Sequence, residues 1–139
     1  ISGTARFLKE KNPDIEIVAA DPIGSVYYQY HKDKTLIEPH TYYVEGIGED
    51  MLCPTIDFDV IDKIYQVTDK ECFLTTRDLT RKEGIFGGGS SGAAVFAALK
   101  HAENLDENKT MVVILPDGGG KYISKIFNDD WMREKGFIE

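Results

Sequence analysis

Ser2 to Lys11 sets Ala5, Phe7 and Leu8 among Arg6, Lys9 and Glu10, a spacing that predicts a helix stopped by Asn12-Pro13. Ile15, Ile17, Val18, Ala19 and Ala20 then form a short apolar run closed by Asp21-Pro22, the pattern of a strand over Glu16 to Ala20 buried on both faces. Gly24 to Thr41, with Tyr27, Tyr28, Tyr30, His31 and His40, has no clean period and reads as a surface excursion. Beyond Pro54, Ile61 to Val67 alternates apolar and polar residues as a strand does. Thr68-Asp69-Lys70-Glu71 has the spacing of a capping box, which predicts a helix from Asp69 to Glu83 ended by Gly84. A glycine turn at Gly87-Gly88-Gly89 feeds a second helix from Ser91 to Glu103, with Val95, Phe96 and Leu99 as its packing face. Met111 to Leu115 is the clearest buried strand, followed by Pro116-Asp117-Gly118-Gly119-Gly120, a short helix from Tyr122 and a closing turn at Asp130-Trp131.

Strands alternating with helices require crossover connections, so the chain is expected to be α/β, one domain over residues 1–139, with a three-layer, doubly wound, mostly parallel sheet. Ligands of such sheets sit beyond the carboxyl ends of the strands. Three glycine-rich loops satisfy that rule: 45–48, 87–90 and 116–120.

Composition narrows the chemistry. A net charge of −8 over 139 residues, with no run of Lys or Arg, argues against a nucleic-acid surface and favours small-molecule partners. Cys53 and Cys72 match neither a zinc pattern nor a redox pair, so no metal is implied and both are expected to be ordinary thiols. No signal peptide and no apolar stretch of membrane-spanning length is present, which favours the cytosol. An amphipathic helix at the first residues leads to the expectation that the chain is a piece of a longer polypeptide. His31, His40 and His101 have no ligand or nucleophile spacing and are expected on the surface; Tyr27, Tyr28 and Tyr30 suit packing or a subunit contact.

Gly87 to Ala94 joins a glycine turn to a helix start carrying Ser90 and Ser91. Free amides and the positive end of a helix dipole suit an anion or a neutral acceptor there, and a plain N-cap is the simpler alternative. Gly87, Gly89 and Gly92 also satisfy G-x-G-x-x-G, with Asp106 or Glu107 near the spacing of a ribose-binding acid. Two helices precede them, however, whereas a dinucleotide fingerprint opens its domain. No Lys follows Gly92, which excludes a Walker loop.

Ser2-Gly3-Thr4-Ala5-Arg6-Phe7-Leu8-Lys9-Glu10-Lys11, Asp21-Pro22 with Gly24-Ser25, Glu45-Gly46-Ile47-Gly48, Gly88-Gly89-Ser90-Ser91-Gly92 and Leu115-Pro116-Asp117 resemble, in order and spacing, the fold-type II pyridoxal phosphate enzymes. Val44-Glu45, Ile114 to Asp117 and the ending Asp130-Trp131-Met132 with Lys135-Gly136-Phe137 resemble the cystathionine β-synthase branch more than the sibling cysteine synthases. The resemblance implies the large-domain portion of that fold, pyridoxal 5'-phosphate as cofactor, amino-acid substrates and a homodimer. It implies that Ser90 bonds the cofactor's pyridine nitrogen and that Pro116 walls the pyridine pocket; the loop at Gly46 either lies against cofactor or substrate, where a Cβ would collide, or is a simple strand-end turn. Glu45 is a candidate for acting on the substrate amine or simply an exposed acid, and Asp117 a turn residue. The Schiff-base lysine, the substrate-carboxylate loop and the phosphate loop of the family have no counterpart in this chain, and Lys121 and Lys125 stand in the wrong context to replace the lysine. No catalytic residue is therefore assigned, and the chain alone is expected to be inactive. The implied reaction joins serine to homocysteine; cysteine synthesis from O-acetylserine and sulfide, or a noncatalytic binding or regulatory module, are the alternatives.

Overall fold

The computed structural model describes residues 1–139. Its elements are α1 (Ser2–Lys11), β1 (Val18–Pro22), α2 (Tyr27–Asp33), β2 (Lys63–Val67), α3 (Asp69–Glu83), α4 (Gly89–Ala102) and α5 (Asp129–Glu134), with short 3-10 turns at Phe58–Val60 and Gly119–Tyr122. β1 and β2 pair in parallel, Val18 against Lys63 through Pro22 against Val67, so the α/β class with parallel pairing holds. The core joins Val44, Val67, Cys72, Phe73, Ala93, Tyr122, Ile126, Met132 and Phe137. Within it Phe73 packs edge-on against Phe137 with centroids 5.1 Å apart, and Trp131 closes the aromatic cluster.

Local chemistry explains the elements that were legible. Thr68 accepts from the Glu71 amide while Glu71 accepts from the Thr68 amide, and Gly84 in the left-handed region ends α3. α1 is fastened by ion pairs from Arg6 to Asp57 and from Lys9 to Asp62, each at 2.7 Å, although Phe7 points outward.

Five expectations are corrected. β1 begins two residues later than the expected start at Glu16, and Val18, Ala19 and Ala20 are only half-buried, because β2 is its single neighbour. The 24–41 excursion contains α2, whose first amides are capped by Ser25 Oγ and Asp21 Oδ2 and whose Tyr27 and Tyr30 pack on Phe58. α4 buries its small residues Gly92, Ala93 and Ala97, while Leu99 is 61% exposed. Met111 to Leu115 is extended but unpaired, with Val112 80% and Ile114 70% exposed, and no strand of the chain lies beside it; the sheet formed within these residues is the parallel pair β1 and β2. The Asp130-Trp131 turn is the helix α5, capped by Asn128.

His101 also departs from the surface reading. It is buried at the far end of α4, with Nδ1 3.3 Å from Tyr65 Oη and Nε2 3.4 Å from Glu16. His31 is half-buried, its Nε2 2.7 Å from the Ile61 carbonyl.

Candidate functional site at the mouth of the fourth helix

The first turn of α4 is the best-built polar feature of the chain. Gly88 caps the helix with its backbone alone, and the amides of Gly89 and Ser90 have no acceptor within the chain. Two free donors at the positive end of a helix make a seat for an acceptor atom. Ser90 is 4% exposed, and its Oγ stands 3.5 Å from Asp117 Oδ1. The Asp117 carbonyl accepts from the Gly88 amide at 3.1 Å and from Ser91 Oγ at 3.2 Å, so the 116–120 loop is laced to the helix mouth. An antiparallel bridge from Gly87 to Gly118 completes that lacing. Pro116, the expected wall residue, therefore lies next to the residue that holds Ser90's surroundings.

The 45–48 loop reaches the same end of the molecule by a different route. Asp69, at the start of α3, accepts from the amides of Tyr43 and Val44 at 2.9 and 2.7 Å. Ser25 Oγ accepts from the Glu49 amide at 3.0 Å on the other flank. The loop is thus pinned at both ends, and Val44 Cγ2 lies 3.3 Å from where a Cβ on Gly89 would stand. Gly46 has φ +84, and a Cβ there would meet no atom of the chain within 4 Å. Its backbone conformation, rather than a collision inside the chain, explains the glycine, and the space over it is open. Glu45 is paired with Lys125 at 2.6 Å, which gives that lysine a partner on the loop rather than a place at Ser90.

Two participants escaped the sequence reading. Asp117 looks like an ordinary turn acid after Pro116, and Tyr122 like a helix start, but Tyr122 Oη donates to Asp117 Oδ2 at 2.8 Å. Burial, and then that bond, push the Tyr122 hydroxyl up to about 12. Only the five-residue spacing from Asp117 to Tyr122 hinted at the pair, and a spacing of five has no meaning without knowing the turn between them. Cys72 is buried and its thiol pushed up to about 12 by burial, with Asp69 and Glu71 adding to it, so it stays protonated and unreactive. A cavity of about 480 Å³ lined by Pro39, His40, Thr41, Tyr42, Glu49 and Asp50 flanks the 45–48 loop, away from Ser90.

The donor set at the mouth of α4, a buried hydroxyl and two free amides, suits the acceptor atom of a ligand, and the Gly46 backbone has open space beside it. The residues 1–117 match the model of the family described as pyridoxal-phosphate dependent enzyme. The chain is 44% identical over all 139 residues to cystathionine beta-synthase of Oryctolagus cuniculus, of which it covers 25%. It is 40% identical over 124 residues to the O-acetylserine dependent cystathionine beta-synthase of Bacillus subtilis, covering 89% of this chain and 38% of that protein. The crystal structure of the O-acetylserine dependent cystathionine beta-synthase of Helicobacter pylori superposes with a TM-score of 0.74 at 38% identity, over 88% of this chain and 38% of the other.

Proposed function

The chain belongs to the pyridoxal-phosphate dependent enzyme family, and from that premise we propose that it forms part of a β-replacement enzyme that condenses L-serine with L-homocysteine to cystathionine. It spans about a quarter of the length of the cystathionine beta-synthase relatives, so the rest of the catalytic machinery, including the lysine that would hold the cofactor covalently, is assigned to other parts of a longer polypeptide. The observation that carries this reading is the unbroken similarity over all 139 residues. We assign the working protein to a homodimer acting on small amino acids, as the family resemblance implies, and place it in the cytosol.

Bound pyridoxal phosphate supplies an electron-withdrawing ring that eases loss of a β-substituent from an amino acid. The chain's own residues set how strongly it withdraws. Ser90 would face the ring nitrogen, and a hydroxyl at a helix N-terminus donates readily but does not hold a full proton for its partner. A carboxylate in its place would keep the nitrogen protonated and make the ring a stronger sink, favouring wandering proton transfers over clean β-replacement. Gly46 would lie against the cofactor or substrate, and Pro116 would close the pocket beside Ser90.

Ser90→Asp in the full-length enzyme is expected to cut turnover at least tenfold and to alter the cofactor's absorption, because the new carboxylate also stands beside that of Asp117; unchanged kcat and spectrum would remove Ser90 from the site. O-acetylserine in place of serine is the second reading, favoured by two relatives whose names specify that donor. Product analysis by mass spectrometry decides between them. The full-length protein is given pyridoxal phosphate, serine, O-acetylserine, homocysteine and sulfide together, and then each donor alone. Cystathionine from serine is the expected result; cystathionine only from O-acetylserine supports the second reading; cysteine moves the protein to the sibling reaction; no product points to a noncatalytic module.

A further inference from the structure

One carboxylate at the mouth of α4 faces two hydroxyls. Tyr122 Oη donates to Asp117 Oδ2 at 2.8 Å, while Ser90 Oγ is 3.5 Å from Oδ1 of the same group. The carboxylate is held in place. Oδ1 lies 2.0 Å from where a Cβ on Gly88 would stand, so only glycine leaves room for it, and Tyr122 belongs to the hydrophobic core.

A serine hydroxyl has one proton and two lone pairs, so a proton spent on Asp117 cannot be offered to a ligand. At 3.5 Å the contact with Oδ1 is at the outer limit of a hydrogen bond, whereas the Tyr122 bond is of full strength. The Tyr122 bond is thus the stronger of the carboxylate's two hydroxyl contacts. We propose that Asp117, anchored by Tyr122, is a positioning residue that leaves the Ser90 proton free to point at an acceptor outside α4. The proposal rests on the reading of Ser90 as the partner of the cofactor's ring nitrogen, and it adds the device that sets the direction of that hydroxyl. Without the tyrosine hydroxyl, Asp117 turns to Ser90 and takes its proton into a charge-assisted bond. The serine then offers only lone pairs, which match a ring nitrogen that carries a proton.

The test uses the full-length holoenzyme loaded with pyridoxal phosphate labelled with 15N in the ring, and reads the ring-nitrogen resonance together with the visible spectrum. Tyr122→Phe is expected to move the resonance towards the protonated form, and Asp117→Asn added to it to return the resonance to the wild-type position. No shift in Tyr122→Phe, or a shift that persists in the double variant, overturns the proposal. A Tyr122→Phe enzyme that cannot be loaded overturns it as well, since phenylalanine fills the same core volume and only the bond to Asp117 is lost. Ser90→Ala separates the two levels: if it moves the resonance and Tyr122→Phe does not, the Ser90 reading stands and this proposal falls; if it moves nothing, both fall.

Discussion

At Gly92 a single methyl group decides how closely α3 and α4 can lie. A Cβ there would stand 2.1 Å from both the Cys72 carbonyl and Thr76 Oγ1, and those atoms cannot yield, because Thr76 Oγ1 bonds within α3 and across to the Gly88 carbonyl. Gly92→Ala is expected to cost about 3 kcal/mol, the upper end of the range for overpacking a tight core. Urea unfolding of the full-length protein should show a lower midpoint at an unchanged slope. Nothing in the glycine motif separates this role from the others. Gly88 makes room for a carboxylate, Gly92 makes room for a helix, and in the sequence both are simply glycines of one run.

At the scale of elements, α3 was legible because its start signal is local. Thr68 and Glu71 satisfy each other's amides across one turn. Thr68→Ala should therefore cost about 1 kcal/mol, the usual loss of an N-cap side chain, readable as a fall in the thermal midpoint, with Thr68→Ser close to wild type. α4 was half legible: its position follows from the pattern, but its packing face does not. Large apolar residues were expected inside, yet the close approach to α3 selects the stripe of Gly92, Ala93 and Ala97. α2 escaped because its caps come from Ser25 and from Asp21, seven residues before the amide that Asp21 accepts from. The 111–115 run is strand-like in sequence but has no strand beside it in this chain. Amide hydrogen exchange checks whether it is a strand in the whole enzyme: residues 111–115 should be protected in the full-length protein and exchange freely in the isolated chain, and equal exchange in both would refute its place in a sheet.

The molecule as a whole depends on charge pairs that bind α1 and α5 to their neighbours. Bonds from Arg6 hold Asp57 below the usual carboxylate range, and bonds from Arg77 do the same for Asp129. Each group's folded value lies below its unfolded value, near 3.8, so its stabilisation is present above that pH and is lost as pH falls through the depressed value. Asp21 has the opposite sign. Burial raises its carboxyl, only partly offset by the nearby Ser25 hydroxyl and the Tyr28 amide that donates to it, so protonating it on the way down relieves a cost. The depressed groups outnumber it, and stability is expected to decline below about pH 4. In denaturant titrations Asp57→Asn should be less stable than wild type at pH 7 and converge with it near pH 2; a difference that persists at pH 2 would mean the carboxylate acts by shape rather than charge.

What the sequence alone determined is whatever a few neighbouring residues enforce: α1, the capped α3, the turn into α4, the parallel α/β alternation, and membership of the family. What only the tertiary structure decided joins residues that are far apart along the chain. Asp117 meets Ser90 across 27 positions, Asp69 holds Tyr43 and Val44 across 26 and 25, and His101 is buried between Tyr65 and Glu16. Patterns of period two and 3.6 encode which side of an element is apolar, but not which other element will come to lie against it. Contacts such as that of Asp117 with Ser90 are set by the path of the chain between elements, and that path is fixed only when the core closes.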